Sequence, residues 1–287
     1  MKILKHTGLG LVMSLLVSQV AMAETIAASD TEEAMAVQSV KKSKSKEDMA
    51  KQLANPVAAL ISLPMQLNYD RGFQKTSGND SNKWTLNVQP VIPFSFNDDW
   101  NVISRTIVPL IRTDNMPLGS GITNGVGDIV QSLFFSPKAP TESGWIWGAG
   151  PVFLVPTGSD VSADTWGAGP TAVALKQDGP LTYGILANHI WSTGGDYDIS
   201  NTFVQPFLTY TTPTALSVSL MTETTYNWEA SDGNEWTVPL FIMATQVGKI
   251  GDQLISYGGG VKYYAESPDG APQGWGVRFV FTMLFPK

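Results

Sequence analysis

From residue 56 to the C-terminus the chain alternates apolar and polar residues with a period of two. Nowhere in this stretch does it hold an apolar run long enough for a membrane-spanning helix. Around residues 61–70 the odd positions are Ile61, Leu63, Met65, Leu67 and Tyr69, and the even positions are Ser62, Pro64, Gln66, Asn68 and Asp70. The last segment does the same. Trp275, Val277, Phe279, Phe281, Met283 and Phe285 alternate with Gly276, Arg278, Val280, Thr282 and Leu284. A strand places successive side chains on opposite faces, so each of these segments presents one apolar face and one more polar face.

The pattern predicts strands near 58–70, 83–96, 99–113, 125–136, 144–157, 165–178, 181–193, 200–211, 215–227, 234–249, 253–266 and 274–285. The number is even, and each is long enough to cross a bilayer as a tilted strand of about ten residues. Connections alternate between longer polar stretches (71–82, 114–124, 158–164, 194–199, 229–233, 267–273) and tight turns such as Asn97-Asp98, Gly179-Pro180, Thr212-Pro213 and 250–252; the one near 139–143 is the least regular. Long loops on one rim and short turns on the other belong to a transmembrane barrel. The expectation is an all-β protein, a transmembrane antiparallel β-barrel of about twelve strands with a flexible N-terminal segment.

Composition agrees. Charged residues make up only 15% of the chain, against roughly 25% in soluble proteins. Trp84, Trp100, Trp145, Trp147, Trp166, Trp191, Trp228, Trp236 and Trp275 lie close to predicted strand ends, where interfacial girdles form. Prolines at 64, 90, 93, 109, 151, 170, 206 and 239 fall inside strands and predict bulges there, since proline removes a ladder donor.

Lys2 and Lys5, the apolar run Gly8 to Val20, and Ala21-Met22-Ala23 predict a secretory signal peptide over residues 1–23. Its removal takes away two bases and no acid, so the net charge falls from −7 to −9. Residues 24–55 differ in character from the alternating region: small and acidic to residue 40, then four lysines within 41–46, then 47–53 with the makings of a short helix. This stretch reads as a periplasmic tether, disordered or partly helical, rather than a hatch folded into the barrel; Asn55-Pro56 closes it. The barrel itself is 56–287. The expected location is a bacterial outer membrane.

Charges inside strands set the facing, because a lipid-facing Arg or Lys at the bilayer midplane costs about 2–4 kcal/mol. Candidate lumen-lining residues are therefore Arg105, Glu223, Lys262 and Arg278, with Gln66 and Asn68 on the polar face of the first strand. If Arg105 points inward, Ile103, Ile107 and Ile111 share its face. Segments 145–155, 166–175 and 238–247 are apolar at both parities, so the lining is mixed. Such a wall suits a small apolar solute: burying ~150–200 Å² of an aromatic ring gains roughly 4–5 kcal/mol before binding costs. Glu223 with Arg278 or Arg105 forms a possible ion-pair network, with filling of a narrow barrel as its simplest role.

Other classes find little support. The acidic balance excludes a nucleic-acid partner, and without cysteine there are no disulfides, thiolate metal sites or cysteine nucleophiles. No metal or cofactor motif stands out. The one histidine beyond the leader, His189, has Asn188 and Ser192 nearby but no G-x-S-x-G accompanies it, so catalysis is not expected. Gly125-Val126-Gly127-Asp128 lacks a following helix and reads as a turn with Asp128 at the rim.

Asn55-Pro56 leading into Ile61-Ser62-Leu63-Pro64, the 125–128 turn, Gln205-Pro206-Phe207, and Tyr264 through Glu266-Ser267-Pro268 to Gly274-Trp275-Gly276-Val277-Arg278, with the terminal Leu284-Phe285-Pro286-Lys287, resemble the family called MetA-pathway of phenol degradation. The resemblance covers about 55–287 and implies an outer-membrane, transporter-like barrel often found with aromatic catabolism; it carries over no site residue. The expectation is passive transport of small hydrophobic or aromatic solutes. The alternatives are a general diffusion porin, a closed structural or adhesion barrel and, last, a hydrolase. Expected partners are outer-membrane lipid and lipopolysaccharide, the barrel-insertion machinery and the solute.

Overall fold

Period-two alternation over segments of 11–15 residues commits the chain to strands, and strands with one apolar face must pair until no edge remains. The computed structural model describes residues 45–73, 81–116 and 121–286. The predicted signal peptide and the tether as far as residue 44 lie outside the described residues. Fifteen hydrogen-bonded segments make twelve strands: β1 (Ile61–Arg71), β2 (Asn82–Val88 continued by Val91–Ser95), β3 (Trp100–Asp114), β4 (Ile122–Val126 continued by Ile129–Pro137), β5 (Trp145–Val155), β6 (Thr165–Asp178), β7 (Leu181–Gly195), β8 (Ser200–Thr211), β9 (Leu216–Thr222 continued by Thr224–Asn227), β10 (Trp236–Ile250), β11 (Gln253–Glu266) and β12 (Gly274–Phe285). Each pairs antiparallel with the next, and β12 pairs with β1 from Ile61↔Phe285 to Tyr69↔Val277. The sheet is closed.

Along β10 the even positions Trp236, Leu240 and Ile242 are exposed while Phe241, Met243 and Val247 are buried. The same alternation around the ring makes the outside an apolar band. All nine tryptophans lie within a few residues of a strand end, and all but Trp100 are exposed. Six sit by the rim of long connections and three (Trp100, Trp145, Trp147) by the rim of short turns. Cross-strand ring pairs such as Tyr69 with Trp84, Tyr263 with Trp275 and Trp100 with Trp147 reinforce both belts.

The prolines disturb the ladder less than expected. Register shifts fall at Val238/Pro239 and opposite Pro109, whereas Pro64, Pro93, Pro151 and Pro206 sit in strands whose register runs straight through. Each removes one donor without moving its neighbours. The larger irregularity lies at Gly127-Asp128, and the expected rim turn there is corrected. Leu110↔Val126 and Ile107↔Val130 belong to registers one residue apart, so the pair is a bulge within β4. Asp128 accepts hydrogen bonds from the Ser162 hydroxyl and, at 2.9 Å, the Ala163 amide, while Thr157 and Ser159 donate to the Val126 carbonyl. The loop after β5 is thereby folded against β4, and it comes so close to Gly125 that a Cβ there would lie 2.7 Å from Ser159 and Val161.

The described end of the expected tether does not hang free. Helix α1 (Lys46–Leu53) starts at a capping box between Ser45 and Asp48 and seats Met49 and Ala50 against Ala58, Leu60, Ala215, Val247 and Leu284. Gln177 on β6 donates to the Lys51 carbonyl at 2.8 Å. Val57 continues inward and packs with Ile103, Phe134, Val173, Leu175 and Leu186. The helix is short, but the apolar inner wall supplies the second surface that Met49 and Leu53 need.

Candidate functional site

The inner face carries two charge clusters joined by one ring. On β12, Arg278 donates from Nε to Asn68 Oδ1 at 2.7 Å and from Nη1 and Nη2 to Glu223 Oε1 and Oε2 at 2.6 and 2.8 Å. On β11, Lys262 Nζ lies 2.7 Å from Asp70 Oδ1, which also accepts from the Tyr264 hydroxyl at 2.9 Å. Phe241 on β10 stands between them, its ring centroid 4.3 Å from the Arg278 guanidinium carbon and 5.6 Å from Lys262 Nζ. Asn68, Asp70, Lys262 and Arg278 are all buried, and the Glu223 side chain is 24% exposed. Contacts between β9 and β12, with two strands intervening, are possible only across the inside of a barrel.

Of the residues singled out from sequence, Asn68, Glu223, Lys262 and Arg278 come together in this network. Gln66 lies one inward step along β1, with its carbonyl accepting from Asn68 at 3.3 Å. Arg105 points inward from β3 beside the fully buried Ile103, with Ile107 on the same face, and donates from Nη2 to Gln89 Oε1 at 2.9 Å. Its alternate neighbours Ser104 and Thr106 face outward. They are satisfied there by Gln131, which accepts from Thr106 at 2.6 Å and donates to Ser104 at 3.0 Å.

Asp70, Gln89, Phe241 and Tyr264 escaped the sequence reading as site residues. The parity of Asp70 with Asn68 and of Tyr264 with Lys262 held the signal; Phe241, in a strand apolar on both faces, had none.

Two regions flank the network. Toward the long-loop rim lies a vestibule of about 540 Å³ lined by Asn201, Thr225, Asn227, Glu235, Thr237 and Asp269. Toward the short-turn rim the inner wall mixes buried apolar side chains, Ile103, Phe134, Leu175 and Leu186, with buried hydroxyls, Ser62, Ser217, Ser256 and Thr282. His189 is on the outer surface, its ring 4.0 Å from that of Trp191 and its Nδ1 2.7 Å from the Thr202 hydroxyl, to which Trp228 donates at 2.9 Å. It belongs to the aromatic belt.

This architecture is that of the outer-membrane channel barrels. The chain is similar to the COG4313 outer membrane channel from Pseudomonas putida F1, with 14% identity and a TM-score of 0.61 over 79% of this chain and 96% of that one. It also matches the NanC porin at 11% identity and a TM-score of 0.49, over 78% of this chain and all of that one. No protein-family model matches the chain, and no curated protein does. The likeness therefore defines the fold, and the resemblance to the phenol-degradation family finds no support beyond an outer-membrane channel-like barrel.

Proposed function

We propose that the protein is an outer-membrane barrel that passes small hydrophobic or aromatic solutes passively, after export on a signal peptide cleaved at residue 23. The observation that carries this reading is the apolar inner wall from Ile103 through Leu175 to Met243, interrupted by few charges. A diffusion porin for ions needs charged groups along its path; here the inward charges gather in the central network and the vestibule, and the polar groups of the short-turn half are small hydroxyls such as Ser62, Thr209, Ser217, Ser256 and Thr282. The fold of the Pseudomonas putida F1 channel supports a channel and not an enzyme.

The packing of α1 and Val57 against the inner wall at the short-turn end favours a barrel closed in this state, so solute passage requires that segment to withdraw. Uptake of labelled benzyl alcohol, hexane-sized alkane and glucose into proteoliposomes tests the reading. Faster entry of the first two than of glucose is expected. Equal entry of all three identifies a general pore, and entry of none a structural barrel.

A further inference from the structure

We propose that Arg105 is a binding residue for the carboxylate of a small permeant whose apolar body rests on the Ile103 and Ile107 wall. This rests on the reading of the barrel as a conduit and narrows its solute to organic monoanions. The argument is one of charge matching inside the barrel. The central network holds two acids, Asp70 and Glu223, and four cations, Lys262, Arg278, Arg105 and Lys83, the last directly opposite Asp70 in the β1–β2 ladder and within its Coulombic reach. Asp70 is taken by Lys262 and Tyr264, and both carboxylate oxygens of Glu223 are taken by Arg278.

Arg105 lies within Coulombic reach of Glu223, an attraction that outweighs the repulsion from Arg278, but among the described residues it makes no hydrogen bond to that carboxylate. Its hydrogen bond among the described residues goes to the neutral Gln89, so a five-donor guanidinium has one donor used. A cation whose nearby acid has both oxygens bonded to another arginine keeps unused donors, and a planar carboxylate answers them with paired, charge-assisted bonds.

The surroundings define the rest of the ligand. Ile103 is fully buried beside Arg105 and packs with Phe134 and Leu186, and Val91, directly across the ladder from Arg105, packs against the same cluster. A carboxylate on Arg105 thus leaves its ring or alkyl portion on the apolar surface that Val57 covers in this state, once that segment withdraws. The vestibule above carries Glu235 and Asp269. Acids at the entrance oppose anion capture, so the preference resides in the saturable step at Arg105.

The test uses the full chain in proteoliposomes with three probes of nearly equal size: benzoate, benzyl alcohol and benzylammonium. Heat-modifiable gel mobility first confirms that each variant is folded. Benzoate entry is expected to half-saturate at a concentration about tenfold below that of the other two, the weight of one charge-assisted bond. Arg105→Gln is expected to abolish that difference, raising the benzoate half-saturation to that of benzyl alcohol in the same variant.

Arg105→Lys keeps the cation but loses the fork, and weakens benzoate several-fold; it replaces the glutamine variant if the latter does not insert. Benzoate and benzyl alcohol half-saturating alike in the wild type, or unaltered benzoate entry in a folded variant, overturns the site and leaves the conduit standing. Entry of none of the three probes overturns the conduit and this inference with it.

Discussion

Arg278 on the last strand grips both carboxylate oxygens of Glu223, 55 residues earlier and three strands away around the ring. The pair is held from behind by Asn68 and faced by Phe241, so it is a fixed strut across the barrel and not a loose surface contact. Removing one member leaves the other without its partner in a confined, partly dry interior.

Arg278→Ala is therefore expected to destabilise the folded barrel by about 2–4 kcal/mol, below the full cost of a wholly buried pair because Glu223 keeps some exposure. The joint replacement Glu223→Leu with Arg278→Met is expected to cost less than either single change. Urea unfolding in detergent micelles, followed by tryptophan fluorescence, measures both; a double variant weaker than the sum of the singles contradicts the strut.

Adjacent residues on β10 distinguish the two faces. Ile242 is 58% exposed on the outer band, so Ile242→Arg is expected to cost about 2–4 kcal/mol and to lower the folded fraction recovered in lipid. Phe241→Leu, one residue earlier but inward, is expected to insert normally and to loosen the Arg278 and Lys262 cluster. Folding yield into vesicles reads the first effect, and thermal unfolding of the inserted protein the second.

Helix α1 is a separable occupant of the interior. Met49 is 1% exposed, and Met49→Asp places an unpaired carboxylate against Ala58 and Leu284. The helix is then expected to leave its seat while the twelve-strand ring stays closed. Planar-bilayer recordings are expected to show larger or more frequent openings than the wild type; unchanged conductance in a folded variant shows that α1 does not obstruct the path.

His189→Ala is expected to leave solute uptake and cell growth unchanged. Its ring belongs to the outer belt with Trp191 and Thr202, where loss of the imidazole costs about 1 kcal/mol or less. Altered uptake, or loss of a lipid-hydrolysing activity, contradicts this assignment.

Much of the wall was legible in the sequence. Alternation is a local property of the strand, so the inward facing of Asn68, Arg105, Glu223, Lys262 and Arg278, the strand count and the long-short rhythm of connections come from residue order alone. Partnership is not local. Closure brings β12 against β1, and the stagger of the ring sets which inward residues stand level. That stagger gives Asp70 to Lys262, Glu223 to Arg278 and neither acid to Arg105. The bulge at Gly127-Asp128 and the seat of α1 were likewise decided only in the folded barrel. A polar loop to cap Asp128, or an apolar wall to receive Met49 and Val57, exists only once distant strands have come together.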